Sequence, residues 1–281
     1  MLLMYLLNYK VEDRERVKCV SGIEGVPVTT QWDPNGYYYP TQIAQFGLSH
    51  YSKNLTEPEP KRTVLEDGDS IQGDWVVPNS GGYAGRQYNQ LVNSYVLNFH
   101  TSGKYSAMGQ GHAISVLSRA YYHSGGNVTY LNTALRALKV FKLPIYKGGV
   151  QSKFLDKFPW YEEYPTTPAV FILNGFIYSL FGLYDLVTLS PRSKQKEALS
   201  LYDQGITSLK RMLNMYDTGS GSSYDLRHIS LGIAPKIARC DYHATHVNQL
   251  LLLATIEKDK IISDTGQRWA GYIQGKRASH N

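Results

Sequence analysis

The segment that most constrains this chain opens at Thr167-Pro168 and runs to about Val187. Its apolar residues fall on nearly every side of a helix rather than along one stripe, a pattern stable only when other elements surround it. A threonine followed by proline suits a cap and a first turn, so the pattern predicts a deeply buried helix from that point. Asn174, Tyr178 and Gly182 interrupt the run, and it is too short and too polar to span a bilayer.

The partners for such a helix are visible from Tyr105 onward. Ala113, Val116, Leu117, Ala120 and Tyr121 share one helical face; Leu131, Ala134, Leu135 and Leu138 share another. Tyr202, Ile206, Leu209 and Leu213 predict a further helix, as do Val247, Leu250, Leu251 and Ala254. Trp269, Tyr272 and Ile273 mark a last short one. Helices of this kind joined by polar loops suit an α/α toroid, with a groove where the loops converge.

Before Tyr105 the signals differ. Val26 to Trp32 is strand-like, Asp33-Pro34-Asn35-Gly36 is a turn, and a helix follows Pro40 through Ile43, Ala44, Gly47, Leu48 and Tyr51. From Glu57 to Gly85 the chain is rich in Pro, Gly, Asp and Ser and reads as loop or linker. The expected class is α+β: a β-rich amino-terminal region over residues 1–102, then a mainly helical, toroid-like region over 103–281.

A formal charge of +6 and an isoelectric point near 9 favour an anionic partner. The basic residues are scattered, which argues against nucleic acid and for an acidic polysaccharide or anionic lipid. The 23 tyrosines add to this, since each offers a flat apolar face and a hydroxyl, as a carbohydrate groove needs; most of them still belong to the core. Cys19 and Cys240 make neither a disulfide framework nor a metal site. The sequons at Asn54 and Asn127 favour a secretory route. Met1 to Leu7 is too short for a signal peptide or an anchor, so a targeting segment is expected to be missing.

Three polar clusters carry the reactive side chains. Trp160 to Pro168, with Glu162, Glu163 and Tyr164, stands at the mouth of the buried helix. Tyr224 to His228 follows a glycine-rich stretch, and Arg239 to His246 forms the third. Asp241, His243 and His246 offer a metal reading, but no fourth ligand supports it.

At these clusters the chain resembles the glucuronyl C5-epimerase family. The similar stretches are Tyr105 to Met108, Trp160 to Pro168, Leu173 to Phe176, Tyr224 to His228, Gly232 to Pro235 and Asp241 to His243. Arg16 to Cys19, Gly25 to Pro27, Tyr39-Pro40 and His50 to Thr56 are similar too. The likeness covers about residues 8–78 and 103–281.

The residue types suit the reaction that this family implies. Moving the C5 proton of a uronate needs two proton-transfer groups on opposite faces, and something to stabilise the charge spreading onto the carboxylate. The resemblance implies Glu163, Tyr164, Tyr224 and Tyr242 as catalytic, with Glu163 and Tyr242 as the opposed pair. Arg227, three residues after Tyr224, is the cation expected to meet the uronate carboxylate. Further substrate contacts implied are Tyr9, Arg14, Thr30, Tyr38, Asn174, Tyr178, Arg239 and His243. No organic cofactor is expected. The resemblance also implies an N-sulfated heparosan or heparan sulfate precursor as substrate, a homodimer and a Golgi setting.

The chain looks like a shortened form of the family. Between about Pro78 and Gly103 it lacks a long β-rich segment, and Gly81 to His100 resembles nothing we can place. Of the family's calcium site only Glu66 and the Gly68 carbonyl remain, against the six or more oxygens calcium takes. Cys240 and Lys104 stand where the family has Trp, and His112 where it has Gln. Two other readings compete: a catalytically impaired polysaccharide binder, and a lyase that begins with the same proton abstraction.

Overall fold

A computed structural model of the chain describes residues 17–20, 27–30, 34–56 and 105–279. These fall into two compact units. One holds the described residues up to 56 together with 112–137 and 185–196; the other holds 105–111, 138–184 and 197–279.

In the first unit, β1 (Val17–Val20), β2 (Pro27–Thr29) and β3 (Tyr37–Tyr38) form an antiparallel sheet in chain order. Val28 pairs with Tyr38, and the turn that sets this register ends on Gly36 at φ 87°, a value that glycine adopts without strain. Helix α1 (Pro40–Thr56) follows with proline at its first position, as expected, and buries Ile43, Ala44 and Leu48. Most of the expected β-rich region lies outside the described residues, as do the 102/103 boundary and Met1 to Leu7.

The same unit contains a fully buried ion pair. Arg119 Nη2 donates to both Asp185 oxygens at 3.0 and 2.9 Å, and Ser115 Oγ donates to the same carboxylate. Arg119 and Ser115 belong to α2 (Ala107–His123), whose opening residues lie in the other unit.

The second unit is built round the helix that the sequence singled out, now α5 (Leu173–Leu189). Phe176, Ile177, Leu180 and Leu183 are wholly buried, so the all-round apolar pattern was read correctly. Its start was not. The helix begins at Leu173 rather than at Thr167-Pro168, because the intervening backbone is used elsewhere. Phe171 has φ 56°, its N–H donates to Glu162 Oε2, and its carbonyl accepts from Tyr216. Leu173 N donates to the Tyr224 carbonyl, and Leu226 N to that of Val170.

Gly182 is explained by a close crossing. A β-carbon there would stand 2.1 Å from the Gly111 carbonyl oxygen of α2, so only glycine fits. On another side, Trp160 stacks on Phe176 with centroids 3.6 Å apart. Trp160 comes from the hairpin β4 (Gln151–Phe154) and β5 (Phe158–Tyr161), which the sequence reading did not foresee. Helices α3 (Val128–Ala137) and α4 (Lys139–Lys142) split the predicted Leu131 to Leu138 face at Leu138.

Helix α6 (Arg192–Met212) meets α5 at Gly205, where a β-carbon would be 2.4 Å from Leu180. After the short α7 (Arg227–Leu231) come α8 (Cys240–Glu257) and α9 (Lys260–Ile273), packed on each other. Asp259 caps α9 by accepting from Ile261 N at 2.8 Å. From residue 105 on the chain is mainly helical, as expected.

Candidate active site

Strand β5 delivers the first cluster. Its last pairing, Tyr161 with Gln151, is extended by Glu162 N donating to Val150 O, which fixes the backbone where the two glutamates leave the sheet. Glu162 turns to structural work. Its Oε1 accepts from Ser152 at 2.7 Å and its Oε2 from Phe171 N at 3.2 Å. Burial pushes its carboxyl up to about 7, against those two hydrogen bonds.

Glu163 is less tied down than Glu162. Burial pushes it up to about 7 as well, opposed by a hydrogen bond from Tyr164 and the charge of Lys236. Its Oε2 is buried without a hydrogen-bond partner among the described residues, and it lies against the first turn of α5. A β-carbon on Gly175 would stand 2.3 Å from that oxygen, so glycine there makes room for the carboxyl. A buried carboxyl near neutrality, with one oxygen free, is equipped to exchange a proton at working pH.

Tyr224 ties the other clusters to this one. Its ring meets that of Tyr242 edge-on, with centroids 4.8 Å apart. Lys236 Nζ sits 4.1 Å from the Tyr224 ring centre on the π face. Burial raises the Tyr224 hydroxyl well above its ordinary value, and the charges of Glu163, Tyr242 and Tyr164 add to the shift. Tyr224 therefore stays protonated and serves as a donor. The other three residues expected to be catalytic, Glu163, Tyr164 and Tyr242, thus gather round Tyr224, with Tyr164 more than half exposed and Tyr242 partly so.

The expected substrate contacts are distributed differently. Arg227 lies beside Tyr224, but its Nε donates to both oxygens of the buried Asp225 at 2.9 and 2.7 Å. Its charge is already balanced. Arg239 stands over the Tyr242 ring at 5.3 Å and pairs with Asp241 at 2.8 Å. Asn174 and Tyr178 are buried on α5, and Asn174 Oδ1 has no partner among the described residues. His243 is turned into the core, with Nδ1 on Ser222 Oγ at 2.8 Å and Nε2 on the Trp269 carbonyl at 3.2 Å. Tyr38 lies on the sheet of the other unit, and Thr30, half-buried, directly follows its strand β2. Tyr9, Arg14, Glu66 and Gly68 fall outside the described residues.

The metal reading of the third cluster does not survive. Asp241 is exposed and paired with Arg239, while His243 and His246 both bond Ser222, His246 through Nδ1 at 2.9 Å. Among the described residues no group of three His, Cys, Asp or Glu side chains is arranged to hold a metal ion. Burial lowers both histidines, His246 to about 3, so they are neutral in the core.

Sequence reasoning missed Lys236, Gly175 and Asp225. A basic residue just past the Gly232 to Pro235 motif was the one available signal for Lys236, and Arg227 drew attention away because it is nearer Tyr224 in sequence. Nothing local showed that Asp225 would claim Arg227.

Residues 81–271 match the family model described as D-glucuronyl C5-epimerase C-terminus. That match begins inside the Gly81 to His100 segment, which the sequence reading had left unplaced. Over 220 residues the chain is 49% identical to a protein named D-glucuronyl C5-epimerase of Caenorhabditis elegans, covering 74% of this chain and 35% of that protein. Over 153 residues it is 33% identical to an uncharacterized protein of Methanocaldococcus jannaschii, covering 53% of this chain and 46% of that one. The chain thus spans less than half the length of either relative.

Proposed function

The chain belongs to the D-glucuronyl C5-epimerase family, and from that premise we propose that it interconverts D-glucuronate and L-iduronate by moving the C5 proton within an N-sulfated heparosan-type polysaccharide. That is an isomerase reaction of heparan sulfate and heparin biosynthesis. The observation that carries the reading is the gathering of Glu163, Tyr164, Tyr224 and Tyr242 round one tyrosine ring, with Glu163 near neutrality and one oxygen unpartnered.

In this reading Glu163 takes the C5 proton, since a carboxylate of pKa about 7 is the better base than an ordinary one. Tyr242 returns a proton to the other face. Tyr224, held protonated by its surroundings, donates to the sugar as charge spreads onto the C6 carboxylate. Tyr164 keeps Glu163 oriented through their hydrogen bond. Asn174 and Tyr178, behind Glu163 on α5, support substrate binding. Glu66 and Gly68 are the residues that would hold calcium, and they supply too few oxygens for a full site.

A secretory setting in the Golgi fits the same reading. The Asn127 sequon is exposed where α3 starts, with its Oδ1 accepting from Thr129 N at 3.0 Å. The toroid follows from the series of helices joined by polar loops, and the homodimer and the calcium ion from the resemblance. Among the described residues no helix is long and apolar enough to cross a membrane.

The test is incubation of the chain with N-sulfated heparosan and analysis of its uronates. Appearance of L-iduronate is expected. An unsaturated, ultraviolet-absorbing product would identify a lyase instead, and binding with no change at C5 an impaired polysaccharide binder.

A further inference from the structure

Three cations stand round Tyr224 and Tyr242, and they are not equivalent. Arg227 is held by Asp225, with Nη2 at 2.5 Å from Oδ2, and Arg239 is held by Asp241 at 2.8 Å. Each arginine carries its own counter-charge two residues away. Lys236 has no such pair: among the described residues its ammonium makes no ion pair within 4.0 Å, and the opposite charge it acts on, that of Glu163, stands further off. Its place is nevertheless fixed. Tyr224 N donates to the Lys236 carbonyl at 2.8 Å, and the adjacent Ile237 bridges to Ser223, so the backbone holds the ammonium 4.1 Å above the Tyr224 ring. The side chain is exposed, and its charge acts on the Glu163 carboxyl.

We propose that Lys236, rather than Arg227, is the receptor for the C6 carboxylate of the uronate and so determines specificity for a sugar acid over a neutral sugar. This rests on the epimerase reading and deepens it. An arginine already neutralised by a buried aspartate offers an incoming carboxylate little net attraction, whereas an ammonium over an aromatic face with no ion pair within 4.0 Å offers more. As C5 loses its proton to Glu163, the electron pair left behind delocalises onto the C6 carboxylate, and a fixed cation there binds the transition state more tightly than the ground state.

The test is calorimetric binding of an N-sulfated heparosan oligosaccharide and of the same oligosaccharide with its carboxylates reduced to alcohols. The parent chain should prefer the acid form by ~10–100-fold, the range for one charge-assisted contact. Lys236→Gln should abolish that preference, Lys236→Arg should keep most of it, and Lys147→Gln, at an exposed lysine elsewhere, should leave it unchanged. A preference undiminished in Lys236→Gln, or absent from a parent that binds both forms, would overturn the proposal and leave the epimerase reading standing. A parent that binds neither form would overturn the epimerase reading itself, and the proposal with it.

Discussion

Glu163 and Gly175 share one space: a β-carbon on Gly175 would stand 2.3 Å from Glu163 Oε2 and 2.7 Å from Glu163 Cβ. The carboxyl can occupy its buried position only because the first turn of α5 carries no side chain there. Gly175→Ala should therefore displace the Glu163 carboxyl as well as crowd the core. Overpacking of this kind costs about 1–3 kcal/mol, and misplacing a reacting group by about 1 Å can cost ~100-fold in rate. Urea unfolding and turnover measured together check this. A variant with parental rate and stability would mean that the carboxyl moves aside without consequence.

Burial raises both Glu162 and Glu163 to about 7. A carboxyl that binds its proton more tightly folded than unfolded stabilises the fold at low pH. That contribution is lost as pH rises from the ordinary carboxyl value of about 4.3 through 7. His243 and His246 act in the opposite sense, since their lowered values remove stability as pH falls below the ordinary histidine range. Between about pH 5 and about pH 8, Glu163→Gln should flatten the decline in stability relative to the parent. Unfolding midpoints across that range read the difference, and parallel curves would show that the Glu163 carboxyl is not perturbed.

The Arg119–Asp185 pair is fully buried, with Asp185 further held by Ser115. Asp185→Asn keeps the shape but removes the charge that balances Arg119. Breaking such a pair from one side costs about 3–5 kcal/mol. Loss of less than about 1 kcal/mol on unfolding would place the pair among those worth little, as surface pairs are.

Much of this was legible beforehand, and the misses have physical causes. The all-round apolar pattern of α5 survives because burial on every side leaves its mark on every residue. Its first turn was misplaced because Thr167-Pro168 is a local signal, and Phe171 overrides it through bonds to Glu162 and Tyr216, distant in sequence. The hairpin containing Trp160 was invisible, since Gln151–Phe154 has no clean alternation and its partner starts with Phe158-Pro159. Glu163, Tyr164, Tyr224 and Tyr242 were found through resemblance, and no periodicity would have brought them together. That Arg227 and Arg239 are each already paired with an aspartate depended on side-chain geometry alone.

Arg227 offers a contrast with the residues at the reacting centre. Its guanidinium satisfies the buried Asp225 carboxylate, so Arg227→Ala should first lower stability, by roughly 1.5–3 kcal/mol for lost hydrogen bonds to a charged group. Restoration by a second change, Asp225→Asn, would mark the effect as structural. If Arg227→Ala instead leaves unfolding untouched while oligosaccharide affinity falls, Arg227 meets the substrate directly.

The most direct measurement of the central claim is deuterium entry at C5 of uronates in N-sulfated heparosan held in deuterated water, with the parent chain and Glu163→Gln side by side. The parent should place deuterium at C5 and yield L-iduronate. Glu163→Gln should bind the polysaccharide while exchange falls by ~100–10,000-fold, the range for loss of a general base. Tyr242→Phe should lose inversion to a similar degree while still releasing hydrogen from one epimer. Exchange in Glu163→Gln at the parental rate, or a parent that binds the polysaccharide and exchanges nothing, would contradict the account.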